Sequence, residues 1–556
     1  MMFWVFLLLS CFVGSLQAQD MPFQHSVIDT SQELQRHNPP QSPFIKGGNR
    51  GIINICIIFS GEERGYLEPC GCAKPSLGGI AKRHTFLKSL PEPRVAVSLG
   101  DLAGHDGTTT GILRQKELQA ETLAQALKIM NYSIHNLGER DLEMGLDVLA
   151  YLFPPGAVPL LYSNIKLASP FIEVVPYKIL EVRATLAVAQ DNEAGANLME
   201  KNRTGESPAP TLKIGFLGIL SPTLLGPPPT GVEITPPAEA LPPLIKELKD
   251  KVDVLILLSH ASMEESLRLA RDFPEFHIVA SGHGIDHPIT VKEGNTWVVN
   301  PGNKGKHLVL YRYNPPLSPF DKNTSPISPF YKGGERGING TGVVETVTLD
   351  ERFNDSDTML NLLDNYQQRL KDENLLWQVE KLPLPEQTSY VGSSACKACH
   401  PAVFQHWGST LHAMAYETLL KVGRAFDPEC VACHVVGLNY STGFQSREKS
   451  PDLIGVGCEA CHGPGSLHIG SIHMDRPSGL SSTQIPSPSM GEGRERVKET
   501  DRSKDLSLQK DGYGKVYPED CHGCHDPEHS PPFKFESCWE RIKHPVETPI
   551  YPNAIK

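Results

Sequence analysis

The sequence predicts two structured parts, an α/β domain followed by a smaller, mainly helical and irregular domain. Between residues 52 and 350, short apolar runs typical of strands alternate with amphipathic runs typical of helices. In the last third of the chain, four Cys-x-x-Cys-His motifs lie in a segment with few apolar side chains. With 556 residues, the chain is long enough for two or three domains that each bury a core.

The individual elements of the α/β part follow from these runs. The strand-like segments are residues 52–59, 95–99, 212–217, 252–258 and 276–280, and the clearest helices are 116–130 and 242–250. A long polar helix is then predicted over Asp357–Glu380, and a proline-containing linker over Leu382–Gln387.

The four Cys-x-x-Cys-His motifs predict covalently bound haem. In each motif two thiols can form thioethers with one porphyrin, and the following histidine can bind the iron. A zinc ribbon needs no histidine after the second cysteine, and it shares one ion between two cysteine pairs. The sequence therefore predicts four haem c groups, attached at Cys396, Cys399 and His400, at Cys430, Cys433 and His434, at Cys458, Cys461 and His462, and at Cys521, Cys524 and His525.

The N-terminus and the net charge restrict compartment and partners. Residues 1–14 form a short apolar run and Ser15–Ala18 follow, which predicts a signal peptide over 1–18. A lipoprotein site at Cys11 and an uncleaved anchor stay open as alternatives. Export to the periplasm, or otherwise out of the cytoplasm, agrees with haem c, which is attached outside the cytoplasmic membrane. The net charge of −12 argues against nucleic acid as a partner.

A repeated segment helps to place the domain boundaries. Residues 42–52 recur as 328–338, and a Pro/Ser/Gly-rich run covers 481–493. We interpret the repeats as low-complexity insertions, with a duplicated binding loop as the alternative. The predicted organisation is a signal peptide (1–18), a linker (19–51), the α/β domain (52–350, insertion 314–340), a helix and linker (351–388) and the haem domain (389–556, insertion about 475–515).

The α/β part carries motifs of a known family in order along the chain. They are Gly65-Tyr66-Leu67-Glu68-Pro69, Gly78-Gly79-Ile80-Ala81-Lys82-Arg83, Gly100-Asp101, Asn136-Leu137-Gly138, Leu257-Leu258-Ser259-His260, Gly282-His283 and Val298-Val299-Asn300-Pro301-Gly302. They resemble the periplasmic 5′-nucleotidases of the calcineurin-like metallophosphoesterase superfamily. The resemblance implies an α/β metallophosphoesterase-like β-sandwich flanked by helices.

The metal motifs of that family are altered here. The family clamps phosphate with two divalent ions, and of its ligand pattern only Asp101, His260 and His283 remain, as a degenerate dimetal site. Arg64 and Arg140 stand where the pattern has histidines, and a guanidinium cannot bind a cation. We therefore expect no divalent metal and an inactive domain, in which Glu62, Asp101 and Glu139 pair with the two arginines. The pocket could still hold a small anion such as phosphate or a carboxylate.

Four cysteines lie outside the haem motifs and the signal peptide: Cys56, Cys70, Cys72 and Cys538. Cys70 and Cys72 could form a redox pair or a soft-metal site. The alternatives are a disulfide from one of them to Cys56, or simple burial.

The haem domain also carries a resemblance. Pro401, Trp407 and Thr410 follow the first motif, Gly463-Pro464-Gly465 follow the third, and Asp526-Pro527-Glu528-His529-Ser530-Pro531 and Trp539 follow the fourth. This arrangement resembles the tetrahaem cytochromes c of the hydroxylamine-oxidation pathway. It implies that the sixth iron ligands are His412, His468, His529 and His544, each with a solvent-facing or propionate-bonding role as the alternative.

The predicted function is electron transfer between partner redox proteins by an exported tetrahaem cytochrome c domain. Two histidine ligands per iron favour electron transfer over substrate chemistry. An iron with an open position would instead indicate a nitrogen-oxide or hydroxylamine redox enzyme. A metal-dependent 5′-nucleotidase with an attached cytochrome is the second alternative.

Overall fold

The structure is a computed structural model that describes residues 52–53, 55–69, 75–91, 93–102, 104, 112–183, 186–187, 211–314, 341–384, 388–473, 516–526 and 533–544. All of them lie in one compact unit, Arg50–Lys556. The signal peptide, Cys70, Cys72, His529, the insertion 481–493 and nearly all of both repeats lie outside the described residues. The interpretations placed on them remain predictions.

The strands follow one another in the α/β part of the chain. They are β1 (Ile52–Ile53), β2 (Ile55–Ser60), β3 (Arg94–Ser98), β4 (Tyr132–Asn136), β5 (Leu160–Leu161), β6 (Ile165–Leu167), β7 (Val174–Val175), β8 (Lys178–Arg183), β9 (Leu186–Ala187), β10 (Thr211–Leu220), β11 (Val232–Ile234), β12 (Val254–His260), β13 (Ile278–Ser281), β14 (Ile289–Glu293), β15 (Thr296–Asn300), β16 (His307–Asn314) and β17 (Thr341–Thr348).

The helices divide between the two predicted parts. The first part and the segment after it contain α1 (Ile80–Ser89), α2 (Leu113–Ile129), α3 (Glu139–Glu143), α4 (Leu146–Leu152), α5 (Pro237–Leu248), α6 (Met263–Asp272) and α7 (Asp357–Asp372). The haem-motif part contains α8 (Ser393–Cys396), α9 (Pro401–Gly408), α10 (Ala415–Lys421), α11 (Pro428–Ala432), α12 (Cys458–His462), α13 (Ser466–His473), α14 (Pro518–His522) and α15 (Phe535–Ile542). Short 3₁₀ turns lie at Leu375–Gln378 and Pro451–Leu453.

Two sheets stack face to face in the α/β part. One has the order β17-β16-β2-β3-β4-β5-β7 and the other the order β14-β15-β13-β12-β10-β8. The central strands of each sheet are parallel, as expected for strands joined by helices. Phe59 and Val97 of the first sheet and Phe216 and Ile256 of the second lie in one fully buried apolar cluster. The sheets therefore form a two-layer sandwich.

Helices cover both outer faces of the sandwich. On the first sheet, α2 packs through Leu123 and Leu127, which lie one helical turn apart and are almost fully buried. On the second sheet, α5 contributes Leu241 and Leu248 to a separate apolar cluster. The predicted β-sandwich flanked by helices is confirmed, and the sequence-based strands and helices differ from it by a few residues at their ends.

The long helix predicted over residues 357–380 is shorter in the structure. It ends at Asp372, and Asn374 adopts a left-handed conformation with φ 53° before the 3₁₀ turn. The following segment, predicted as a linker, is attached to the haem-motif part. There, Leu382 N donates to Asn439 O at 2.7 Å, and Lys381 Nζ donates to Leu438 O.

The haem-motif part consists of short helices, most of which bury little. In α11, Pro428, Val431 and Ala432 are buried, whereas α9, α14 and α15 contain no buried residue. The apolar cluster around α2 continues into this part through residues such as Val431. Nowhere in the described segments is there a helix with the length and apolar character needed to cross a bilayer.

Candidate functional site

The first and fourth haem motifs each close a single helical turn at the motif histidine. His400 N donates to Cys396 O and His525 N donates to Cys521 O, both at 2.9 Å. Such a turn brings the two thiols and the histidine of one motif to the same side of the backbone. All eight motif cysteines are partly exposed rather than buried. This arrangement leaves them accessible for thioether formation.

Three of the four motif histidines lie opposite another histidine. His400 and His468 have ring centroids 6.3 Å apart, His525 and His412 have them 6.1 Å apart, and His462 and His544 have them 6.0 Å apart. An iron held at about 2 Å from one nitrogen of each ring would place the two centroids roughly 6 Å apart. The described residues therefore fit three irons with two histidine ligands each.

Exposed apolar side chains lie beside two of these histidines in the chain. Leu411 and Met414 flank His412 with 87% and 48% of their surface exposed, and Leu467 precedes His468. Large apolar side chains at such exposure suit contact with a flat apolar ring system. These residues fit haem: the two thiols of each motif would attach one porphyrin, and His400, His462 or His525 of the same motif would bind its iron.

The second motif differs from the others. His434 Nδ1 lies 2.6 Å from Ala415 O, and this contact fixes the ring so that Nε2 remains available to a metal. Within the described part of the chain, no histidine ring is paired with His434. His529, the fourth predicted sixth ligand, lies outside the described residues. The sequence alone did not indicate which motif would differ.

Contacts between cysteines place the motifs in an order different from that in the chain. Cys396 of the first motif contacts Cys458 of the third. Cys461 of the third lies near Cys521 of the fourth. Cys433 of the second lies 4.0 Å from the backbone of the fourth, at Gly523 O. The spatial order is first, third, fourth, second.

The altered metal motifs of the α/β part meet at the carboxyl ends of its parallel strands. Glu62 follows β2, Asp101 follows β3, Glu139 follows β4, His260 ends β12 and His283 follows β13. In folds with parallel strands this edge is where ligands bind. All of these residues except His283 are buried.

The carboxylates of this pocket contact the two arginines, as expected from the sequence. Arg64 Nη2 lies 3.1 Å from Glu62 Oε2, and Arg140 Nε lies 3.7 Å from Asp101 Oδ2 and 3.9 Å from Glu139 Oε1. His260 Nε2 lies 2.6 Å from Glu139 Oε2. We call the set Glu62, Arg64, Asp101, Glu139, Arg140, His260 and His283 the carboxylate pocket.

The ionisable groups of the carboxylate pocket shift one another's pKa values. Burial raises the pKa of Glu62 and of Asp101. Burial opposes protonation of His260, but the neighbouring Asp101 and Glu139 raise its pKa well above the usual value. The positive groups of the pocket therefore lie directly against its carboxylates.

Asp141 is a structural residue of this pocket that the sequence did not single out. Its carboxylate accepts hydrogen bonds from the backbone N–H groups of Asp101 at 2.7 Å and of Leu102 at 2.9 Å. These bonds hold Asp101 in a left-handed conformation with φ 56°. The available signal was its place at the end of Gly138-Glu139-Arg140-Asp141, where the family pattern has Asp or Glu.

The family-implied pair of divalent ions does not fit this arrangement. One ligand atom each of Glu62, Asp101, His260 and His283 lies within 4.8 Å of the others, a spacing compatible with one ion. A second ion would need ligands at the positions of Arg64 and Arg140, whose guanidinium groups repel it. The pocket therefore lacks the donors for two-metal chemistry.

Comparison with known proteins supports the assignment of the C-terminal part. Residues 395–463 match the family model described as cytochrome c554 and c-prime. The cytochrome c-554 of Nitrosomonas europaea is 33% identical over 181 residues, which are 30% of this chain and 66% of that protein. The C-terminal part resembles cytochrome c554. The match covers slightly less than two thirds of the length of that cytochrome.

The structural neighbours are 5′-nucleotidases and calcineurin-like phosphoesterases. A 5′-nucleotidase precursor from Thermus thermophilus is 16% identical with a TM-score of 0.41, and covers 60% of this chain and 61% of its own. The calcineurin-like phosphoesterase YfkN from Bacillus subtilis has the same identity and TM-score, and covers 57% and 98%. The NAD nucleotidase of Haemophilus influenzae is also 16% identical, with a TM-score of 0.41, and covers 67% and 69%.

Proposed function

We propose that this protein is an exported cytochrome that transfers electrons through four covalently bound haem c groups. The observation that carries this proposal is the facing of His400, His462 and His525 by His468, His544 and His412 at ring distances suited to a shared iron. Haem bound by two histidines supplies one-electron chemistry at low potential. These six side chains would supply two imidazole ligands to each of three irons, which suits electron transfer rather than substrate chemistry.

The order of the motifs supports a single path for electrons. Contacts from the first motif to the third, from the third to the fourth and from the fourth to the second would bring neighbouring haems close together. Partner redox proteins would then exchange electrons with an accessible haem at one end of this path. Export to the periplasm is part of the proposal, because haem c is attached there.

The phosphoesterase-like domain is proposed to lack hydrolase activity. Arg64 and Arg140 occupy positions where the related pattern has metal ligands, and their charges pair with Glu62 and Asp101. No described group of the pocket then remains to activate water beside two metals.

Haem content tests the proposal most simply. The exported protein should contain four haems per chain by pyridine haemochromogen assay and by intact mass. Each should be reducible by dithionite and reoxidised by a soluble acceptor. Fewer than four haems per chain would contradict it.

One observation favours a second function, redox chemistry on a small nitrogen compound. Among the described residues, His434 has no histidine ring opposite it, so its iron would have an open position unless His529 fills it. Nitric oxide binding to the oxidised protein, measured by optical spectroscopy, tests this. Binding by the wild-type protein at one haem per chain supports the enzyme, whereas no binding supports the carrier.

A further inference from the structure

The second haem motif is fastened to the α/β part by buried polar contacts. Gln115 Nε2 on α2 donates to Asp427 Oδ1 at 2.8 Å, and Gln119 Nε2, one turn further along α2, donates to Glu429 Oε2 at 3.0 Å. Asp427 caps α11 by accepting a hydrogen bond from Glu429 N. Glu429 directly precedes Cys430, the first attachment cysteine of this motif. The haem predicted at Cys430 and Cys433 is thus the one whose attachment segment rests on α2.

The same glutamine lies against the loop that carries the carboxylate pocket. A Cβ atom added at Gly65 would lie 2.8 Å from Gln119 Oε1, so the loop backbone and the Gln119 amide are in contact. Gly65 adopts φ 78°, a conformation that favours glycine, and it directly follows Arg64 of the pocket. Arg64 N and Gly65 N donate to Asp101 O and Leu102 O, which ties this turn to the pocket carboxylate Asp101.

Gln119 is therefore buried between two charged sites. Only 4% of it is exposed, and Oε1 accepts no hydrogen bond from any described residue. An amide is an expensive group to bury when one of its atoms lacks a hydrogen-bond partner. Apolar packing alone would favour leucine at this position, so the amide indicates a polar role toward Glu429.

We propose that Gln119 is a positioning residue that couples the carboxylate pocket to the haem at Cys430 and Cys433. Its amide holds the Glu429 carboxylate beside the attachment site, and the Gly65 turn packs against the same amide. A change in the pocket that shifts the Gly65 turn then alters how Gln119 holds Glu429, and with it the midpoint potential of that haem. This inference rests on the proposed haem attachment at the second motif.

The sign of the effect follows from electrostatics. A negative charge near a haem stabilises the oxidised, more positive iron and lowers its midpoint potential. Removing the Gln119 amide leaves the charge of Glu429 less compensated, so Gln119→Leu should lower the potential. Glu429→Gln removes the charge, so it should raise the potential of the same haem.

EPR-monitored redox titration of the full-length holoprotein tests this directly. We expect Gln119→Leu and Glu429→Gln to move one of the four haem components in opposite directions and to leave the other three unchanged. The matched control is Gln125→Leu, because Gln125 lies on the same helix but bonds only Glu121 at an exposed position. Unchanged potentials in both variants would overturn the proposal. Gln119→Asn, which keeps an amide that cannot reach Glu429, replaces Gln119→Leu if that variant loses haem.

A double-variant cycle separates coupling through Gln119 from charge acting through space. Glu62→Gln weakens the ion pair with Arg64, which directly precedes Gly65, and its shift of the haem component is measured with and without Gln119→Leu. The proposal predicts that the shift falls by at least about half when Gln119 is replaced. Equal shifts in both backgrounds would mean that Gln119 transmits nothing. A protein without four haems would instead contradict the proposed function itself.

Discussion

His400 and His468 lie opposite one another with ring centroids 6.3 Å apart and ring planes 25° apart. His400 belongs to the first haem motif, whereas His468 lies much further along the chain, on α13. Burial lowers the pKa of His468, which favours the neutral imidazole that an iron binds. The pair has the geometry that we expect of two histidine ligands of one iron.

Replacing His468 by alanine should open one iron. The haem at Cys396 and Cys399 would lose its sixth ligand, and the reduced variant should bind carbon monoxide at one additional haem per chain. Optical titration with carbon monoxide measures this. The control is His406→Ala, since His406 lies on α9 and was not predicted to bind iron. Equal carbon monoxide binding by both variants would remove His468 from the ligand set.

Loss of haem should affect the fourth motif more than the second. In α14 and α15 no residue is buried, so this segment depends on haem for its packing, whereas α11 buries Pro428, Val431 and Ala432. We expect Cys521→Ala to speed proteolysis within residues 516–544 by about tenfold or more, and Cys430→Ala to change it by about twofold or less. Limited proteolysis with mass spectrometry gives both rates. Equal resistance of both variants would contradict the greater dependence of α14 and α15 on haem for their packing.

The two arginines of the carboxylate pocket should govern its metal content. Elemental analysis of the wild-type protein should find fewer than two Mn or Zn per chain in addition to haem iron. The double variant Arg64→His, Arg140→His restores imidazoles at both positions and should raise Mn binding, measured by calorimetry. Two Mn or Zn in the wild-type protein would refute the account of this pocket.

The pair of His260 and Glu139 predicts a pH dependence of stability. Because the folded pKa of His260 is raised, its stabilisation is fully present below about pH 6.5 and is lost as the pH rises through the folded value. The melting temperature of the wild-type protein should therefore fall from pH 6.5 upward more steeply than that of His260→Gln. Parallel melting temperatures of the two proteins across this range would show that His260 is neutral in the folded state.

Much of the fold could be predicted because residues that are buried in strands and helices form apolar patterns in the sequence. The β2 and β12 runs are apolar except at their carboxyl ends, since both faces of these strands are buried in the sandwich. The break of α7 at Asn374 could not be predicted, because it depends on one left-handed residue within an otherwise helical polar run. The observed strand ends differ from the predicted ones for a separate reason. Local propensity does not determine the residue at which strand pairing stops.

The haem site divides in a similar way. Attachment residues such as Cys396 and His400 are predicted directly from the sequence, because thioether attachment requires a fixed spacing. Pairing such as His412 with His525 is a long-range contact that no local pattern encodes. The hydrogen bond from Gln119 to Glu429 could not be predicted either, because both residue types are common on helix surfaces.

EPR spectroscopy of the fully oxidised protein, with the spins quantified against its haem content, tests the central claim most directly. Four haems per chain are expected, of which at least three are low-spin with two histidine ligands. The spin state of the remaining haem, at His434 of the second motif, shows whether His529 binds its iron. Fewer than three low-spin haems per chain would contradict the account.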